Sequence, residues 1–136
     1  MTTDILFDVT NEIVLVTGVS GQLGGEYAKA FLERGACVVG LDIQQSTGSD
    51  ELASQYDANY MFCEADVTSK DSLQQALQKI INNFGTPTVL INNAALDSPP
   101  SAPLEETGPF EDYPEASWDK VIDVNLKGVY LCCQVF

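Results

Sequence analysis

Short apolar runs alternate with segments of helical period, and that alternation predicts the elements. Ile13-Val14-Leu15-Val16-Thr17 is an unbroken β-branched run leading straight into Gly18, as expected of a strand buried on both faces. Over residues 22–34 the period becomes helical, with Leu23, Tyr27 and Phe31 at i, i+4 and i+8 and Gly35 placed for a left-handed C-cap. Residues 37–41 form a second buried run ending at Asp42, and the polar residues 44–50 behind it read as a loop. Leu52 and Tyr56 mark a short helix, and residues 60–63 a third strand. Residues 69–84 carry Leu73, Leu77, Ile80, Ile81 and Phe84 at helical spacing, with Ser69 as N-cap and Gly85 and Pro87 as the stop. Residues 88–91 are a fourth buried strand, running into Asn92-Asn93-Ala94-Ala95.

The composition shifts between residues 95 and 118. Pro99, Pro100, Pro103, Pro109 and Pro114 fall there, with acids at 97, 105, 106, 111, 112 and 115 and no base. This predicts a surface loop, either a solvated connection or a substrate-facing lid. Loops of that length in compact domains tend to be functional or disordered, which favours the lid. From Ser117 a last helical pattern runs through Val121, Ile122, Asn125, Gly128 and Leu131. The order β-α-β-α-β-α-β-α predicts an α/β fold, a parallel sheet with helices on both faces.

Composition narrows the classes of function. With 136 residues, 45% of them hydrophobic, the chain is one domain's worth of core. A net charge of −14 repels phosphate backbones and anionic lipid, so nucleic acid and membrane surfaces are not expected partners. No run reaches the roughly 18 apolar residues of a membrane span, and Met1-Thr2-Thr3-Asp4 opens with an acid, so a cytoplasmic location is expected. Cys37, Cys63, Cys132 and Cys133 include no C-x-x-C pair, and there is no histidine, so reduced core thiols and no metal site are expected. Without histidine, Ser/His/Asp and Cys/His nucleophile arrangements are excluded.

Gly18-x-x-Gly21-x-x-Gly24 lies between the first strand and the first helix. Bare glycines let the backbone turn tightly and approach a pyrophosphate, and the N-terminal N–H groups of the next helix bind the anion. The alternative is a tight turn without ligand. Asp42 ends the second strand, 18 residues beyond Gly24, where a carboxylate can accept both hydroxyls of an adenosine ribose; the alternative is an ordinary strand-end turn residue. The acid would repel a 2′-phosphate, and neither Val19 nor Ser20 is basic, so NAD is expected over NADP.

Thr17-Gly18-Val19-Ser20-Gly21-Gln22-Leu23-Gly24, Asp66-Val67, Asn92-Asn93-Ala94-Ala95 and Val124-Asn125-Leu126-Lys127-Gly128 resemble, in order, the signatures of the short-chain dehydrogenase/reductase family. The resemblance spans nearly the whole chain. It implies a Rossmann-type doubly wound sheet in a three-layer α/β/α arrangement, and an NAD(P)-dependent oxidoreductase acting on a small molecule. It also implies roles for individual residues. Gly18, Ser20, Gly21, Gln22, Leu23 and Gly24 would form the pyrophosphate turn, Asp42 with Ile43 the ribose side, and Asp66 and Val67 the adenine side. Asn93, Ala94 and Ala95 would lie along the coenzyme, and Asn125 would match the catalytic asparagine that helps hold a water in the proton relay. Taken singly, Asp66 also reads as a loop acid before the Ser69 cap, and Asn125 as a solvent-facing helix residue.

The chain departs from the family pattern in three places. The middle glycine of the usual motif stands one residue later, where this chain has Gln22; Gly21 resembles the spacing of the extended, sugar-nucleotide branch. Ala95 replaces a usual glycine, and its methyl is expected to crowd the coenzyme pocket. The family's Tyr-x-x-x-Lys proton donor is absent, since none of the five lysines follows a tyrosine at that spacing. The chain therefore reads as the N-terminal, coenzyme-binding half of a longer enzyme, inactive alone and homo-oligomeric when whole. Residues 90–95 with Phe110-Glu111-Asp112-Tyr113 and Trp118 are similar to a subgroup linked to polysaccharide and flagellin-sugar biosynthesis. The second reading is a non-catalytic dinucleotide-binding module acting through a protein partner.

Overall fold

The computed structural model describes residues 5–97 and 102–136. Its strands are β1 (Ile13–Thr17), β2 (Cys37–Asp42), β3 (Tyr60–Glu64) and β4 (Val89–Ile91). They lie parallel in the order β3-β2-β1-β4. Ile13 pairs with Cys37 and Thr17 with Leu41, while Val14 pairs with Val89 and Val16 with Ile91. The chain steps outward from β1 to β3 and then crosses to place β4 on the other side of β1. A crevice opens beyond the carboxyl ends of β1 and β4, at the point where the strand order reverses.

Helices α1 (Gln22–Leu32), α2 (Thr47–Gln55) and α3 (Lys70–Asn83) connect the strands, and α4 (Leu104–Thr107), α5 (Glu115–Ile122) and α6 (Val129–Val135) follow β4. A π-helical segment, Asp123–Gly128, joins α5 to α6. Side chains alternate along the strands and make a core on each face. Val14, Val16 and Val38 pack with Ala28 and Leu32 of α1 and Leu52 of α2. Leu15, Val39 and Leu41 pack with Leu73 and Ile80 of α3 and Leu131 of α6. Helices thus cover both faces of a parallel sheet, the three-layer Rossmann-type arrangement. All four cysteines are free, but they are not all core residues: Cys63 and Cys132 are buried, Cys37 is half-buried and Cys133 is exposed. No helix among the described residues is long and apolar enough to cross a membrane.

The expected stops and caps are present. Gly35 and Gly85 take φ +85° and +104°, and Ser69 accepts the Ser72 N–H at 3.3 Å to cap α3. Three readings are refined or corrected. Of the residues that mark the helical period of α1, Phe31 packs against the core while Leu23 and Tyr27 are 60% and 40% exposed, and the buried face is Gly24, Ala28 and Leu32. The N-terminal part of the helix docks so closely on the turn before it that Gly24 and Ala28 face the sheet there, and the larger Leu32 packs at the far end. The polar stretch after Asp42 is not all loop, because α2 begins at Thr47 with Ser46 accepting the Ser49 N–H at 3.3 Å. The region after Ala95 also holds more structure than a loop. Pro103, Pro109 and Pro114 stand immediately before α4, a 3-10 turn (Phe110–Asp112) and α5, so the last helix begins two residues before Ser117. Proline fixes φ near −65° and lacks an N–H that a helix start leaves unpaired anyway, so these prolines start helical turns. Pro99 and Pro100 lie outside the described residues.

Candidate functional site

The crevice is built by the turn after β1. Gly18 takes φ +68°, and a Cβ there would lie 2.8 Å from Ala94 Cα, so glycine is required by both conformation and space. Its N–H and that of Val19 donate to the Leu41 carbonyl at 2.8 and 3.3 Å, fastening the turn to β2. Gly21 is the N-cap of α1, with no side-chain cap bond, and lies on the crevice wall. The positive end of α1 therefore reaches the crevice without a side chain over it, an arrangement suited to an anion. Gly24 is buried behind the turn, where a Cβ would lie 2.2 Å from the Gly18 carbonyl oxygen.

At the end of β2, half-buried Asp42 is already oriented. Its Oδ2 accepts the Ser20 N–H at 3.0 Å and its Oδ1 accepts the Ile43 N–H at 2.8 Å. Each carboxylate oxygen retains a second lone pair, so two acceptor positions remain for a vicinal diol. Asp66 closes a local turn, its Oδ1 accepting the N–H and hydroxyl of Thr68 at 2.8 and 2.7 Å. Val67 beside it is buried, and a Cβ at Gly128 would come within 2.9 Å of its Cγ2, so the π-helical segment packs against the cleft wall at Val67.

The extension of β4 is held by Thr17, which the sequence reading does not place at the site. Its buried hydroxyl accepts the N–H groups of Asn93 and Ala94, each at 3.0 Å, and donates to the Ile91 carbonyl at 3.4 Å. The Asn93 amide nitrogen donates to the carbonyls of Thr17 and Gly18 at 3.0 and 3.1 Å. The available signal is a hydroxyl ending an apolar strand, where a buried polar group must find partners. Ala95 lines the crevice without backbone strain, since no described non-glycine residue has positive φ. Asn125, in the π-helical segment, accepts the Leu96 N–H at 2.8 Å and donates to the Leu96 carbonyl at 2.9 Å. Its side chain is engaged with protein rather than turned to solvent.

These groups frame a cleft of about 430 Å³. Gly18, Gly21, Asp42, Ile43, Asp66 and Val67 lie on its wall with Asn93, Ala94 and Ala95. Five expected residues lie off that wall. Ser20 and Gln22 border a separate groove between α1 and α2, Leu23 is exposed on α1, and Gly24 is buried. Asn125 touches the cleft only through Leu96. Among the described residues no group of three or more His, Cys, Asp and Glu could hold a metal ion. The glycine cradle, uncapped helix end and oriented carboxylate fit the pyrophosphate and ribose of a dinucleotide.

A Rossmann-type α/β domain with a cleft at the switch point of its sheet is the class this fold defines. The family model described as short chain dehydrogenase matches residues 12–136, and the chain belongs to that family. It is 32% identical over 129 residues to the NAD-dependent glycerol dehydrogenase of Listeria innocua, covering 95% of this chain and 47% of that protein. It is 34% identical over 123 residues to the cis-4-hydroxycyclohexanecarboxylate dehydrogenase of Sinomonas cyclohexanicum, covering 88% and 46%. A crystal structure from Brucella melitensis, described as a short-chain dehydrogenase/reductase of the glucose/ribitol dehydrogenase type, matches with a TM-score of 0.80 at 25% identity. That match covers 94% of this chain and 51% of the other. The chain spans about half the length of the curated relatives it matches.

Proposed function

We propose that the cleft binds NAD(H) in preference to NADP(H), and that the chain supplies the coenzyme half of an oxidoreductase interconverting an alcohol and a carbonyl on a small, polar, sugar-like substrate. The observation that carries this reading is the oriented Asp42 carboxylate, held by two backbone N–H groups on the same cleft as Gly18 and Gly21. A nicotinamide dinucleotide supplies hydride acceptance or donation at the substrate carbon. The chain's own residues bind and orient it. The glycine turn and the end of α1 take the pyrophosphate, with Gly24 giving α1 room to dock. Asp42 and Ile43 take the ribose, Asp66 and Val67 flank the adenine, and Asn93, Ala94 and Ala95 run beside the rest. Asn125 shapes the substrate end by holding both polar groups of Leu96.

The name of the Listeria relative supports the same coenzyme. The acidic charge supports a small-molecule partner over nucleic acid or membrane, and a cytoplasmic homo-oligomer completes the reading. Titration of NADH and NADPH by nicotinamide fluorescence tests it, with Asp42→Ala beside the parent chain. The parent is expected to bind NADH at least about tenfold more tightly than NADPH, and the variant to lose most of that difference. Equal affinities in the parent chain would remove Asp42 from the ribose.

A further inference from the structure

Ser20 stands behind the coenzyme cleft rather than on its wall. It borders the groove between α1 and α2, together with Gln22 and Ser46. Both of its donors are engaged within the protein: the N–H with Asp42 Oδ2 at 3.0 Å and the hydroxyl with the Gln44 carbonyl at 2.5 Å. We propose that Ser20 is a positioning residue that sets coenzyme selectivity through Asp42 and the connection behind it, without touching the coenzyme. The proposal rests on the reading of the cleft as an NAD(H) site.

The surroundings of Asp42 support the assignment. The Asp42 carbonyl accepts the Ala65 N–H at 2.8 Å, so its backbone is fixed to the segment after β3. Its carboxylate is held from one side by Ser20 and from the other by Ile43, the residue next to Gln44. Further on, the Gln45 side-chain amide donates to Asp50 Oδ1 at 2.7 Å, and Ser46 caps α2. Ser49 of α2 is joined to Tyr60 of β3 at 2.6 Å. The connection is thus tied to α2 and β3 on its outer side, and the Ser20 hydroxyl ties its middle to the glycine turn. Releasing that bond frees Gln44, and with it the Ile43 N–H that fixes Asp42 Oδ1. A carboxylate held in one rotamer presents its remaining lone pairs to a diol at no ordering cost and cannot swing away from a 2′-phosphate.

A double-mutant cycle read on both dinucleotides tests the proposal. NADH and NADPH are titrated into the chain and into Ser20→Ala, Ser20→Thr, Asp42→Ala and the Ser20→Ala/Asp42→Ala double variant, with the unfolding midpoint of each measured alongside. Ser20→Ala is expected to weaken NADH binding roughly three- to tenfold and NADPH binding less, the range of one net hydrogen bond. Ser20→Thr, which keeps the hydroxyl, is expected to restore the preference. In the Asp42→Ala background, Ser20→Ala is expected to change the ratio by less than about twofold. Equal weakening of both dinucleotides by Ser20→Ala, or an undiminished effect in the Asp42→Ala background, would overturn the proposal. A parent chain that binds neither dinucleotide would overturn the reading of the cleft and this proposal with it.

Discussion

Gly24 and Gly25 are neighbours in one helix, yet the structure assigns them opposite responses to alanine. A Cβ at Gly24 would lie 2.2 Å from the Gly18 carbonyl oxygen and 2.8 Å from both Gly18 C and Val19 Cα. All three are backbone atoms, so no side-chain rotation relieves the contact. Moving from 2.2 Å to an ordinary 3.4 Å requires the turn and α1 to part by about 1.2 Å. Overpacking of this kind costs about 1–3 kcal/mol and occasionally more, while alanine's helix propensity returns about 1 kcal/mol. With rigid backbone on both sides the upper part of the range applies, and a net loss of about 2 kcal/mol is expected. At Gly25 the nearest atom to an added Cβ is the Val19 carbonyl oxygen at 3.6 Å, an ordinary contact. Gly25→Ala is therefore expected to stabilise by about 0.5–1 kcal/mol. Urea unfolding followed by far-UV circular dichroism reads both, with the slope checked for constancy. Gly24→Ala is expected also to weaken NADH binding, and the larger Gly24→Val to abolish it. A Gly24→Ala chain as stable as its parent, with NADH binding intact, would refute the argument that this close approach builds the site.

Other positions respond through hydrogen bonds and burial. Thr17→Val leaves the Asn93 and Ala94 N–H groups without the hydroxyl they share; a loss of about 2–4 kcal/mol in urea unfolding is expected, with weaker NADH binding. Tyr60→Phe strands the buried Ser49 hydroxyl at a cost of about 1–3 kcal/mol, and adding Ser49→Ala is expected to recover part of that loss. Asn125→Ala unfastens Leu96, and hydrogen exchange at the Leu96 amide is expected to accelerate by about tenfold or more. Burial, with a smaller contribution from Cys133, pushes the Cys132 thiol from its ordinary 9.0 up to about 11, and burial also raises Tyr60 and Cys63. A group whose folded pKa lies above its unfolded value stabilises the fold below the unfolded value and loses that contribution as pH rises through the folded one. The urea midpoint is therefore expected to fall between pH 9 and about 11, and less steeply in Cys132→Ala. A midpoint rising over that range would contradict the burial of these groups.

The central strands were legible because Val14, Val16 and Val38 on one face of the sheet and Leu15, Val39 and Leu41 on the other are all buried, leaving unbroken apolar runs. The glycine turn and Asp42 were legible because their demands are local. The N-terminal part of the α1 face was not, because periodicity weighs hydrophobicity and not clearance, and what decides the docking is the lack of room for a Cβ at Gly24, which would lie 2.2 Å from the Gly18 carbonyl oxygen. Prolines after Ala95 mark breaks in the chain, yet Pro103, Pro109 and Pro114 each precede a helical turn, a distinction made by the residues that follow. The π-helical segment has no local signature. Asn125 and Gly128 are explained only by Leu96 and Val67, which the fold brings from distant parts of the chain. Thr17 resembles any β-branched strand residue until its three partners are in place.

The central claim is that NAD(H) occupies the cleft between the glycine turn and Asp42, and amide chemical shifts of the isotope-labelled chain titrated with NADH test it most directly. Saturable shifts are predicted at Gly18, Gly21, Asp42, Ile43, Asp66 and Ala94, with the outer surface of α3 unmoved. A titration without saturable shifts, or with shifts gathered on α3 and away from the glycine turn, would contradict it.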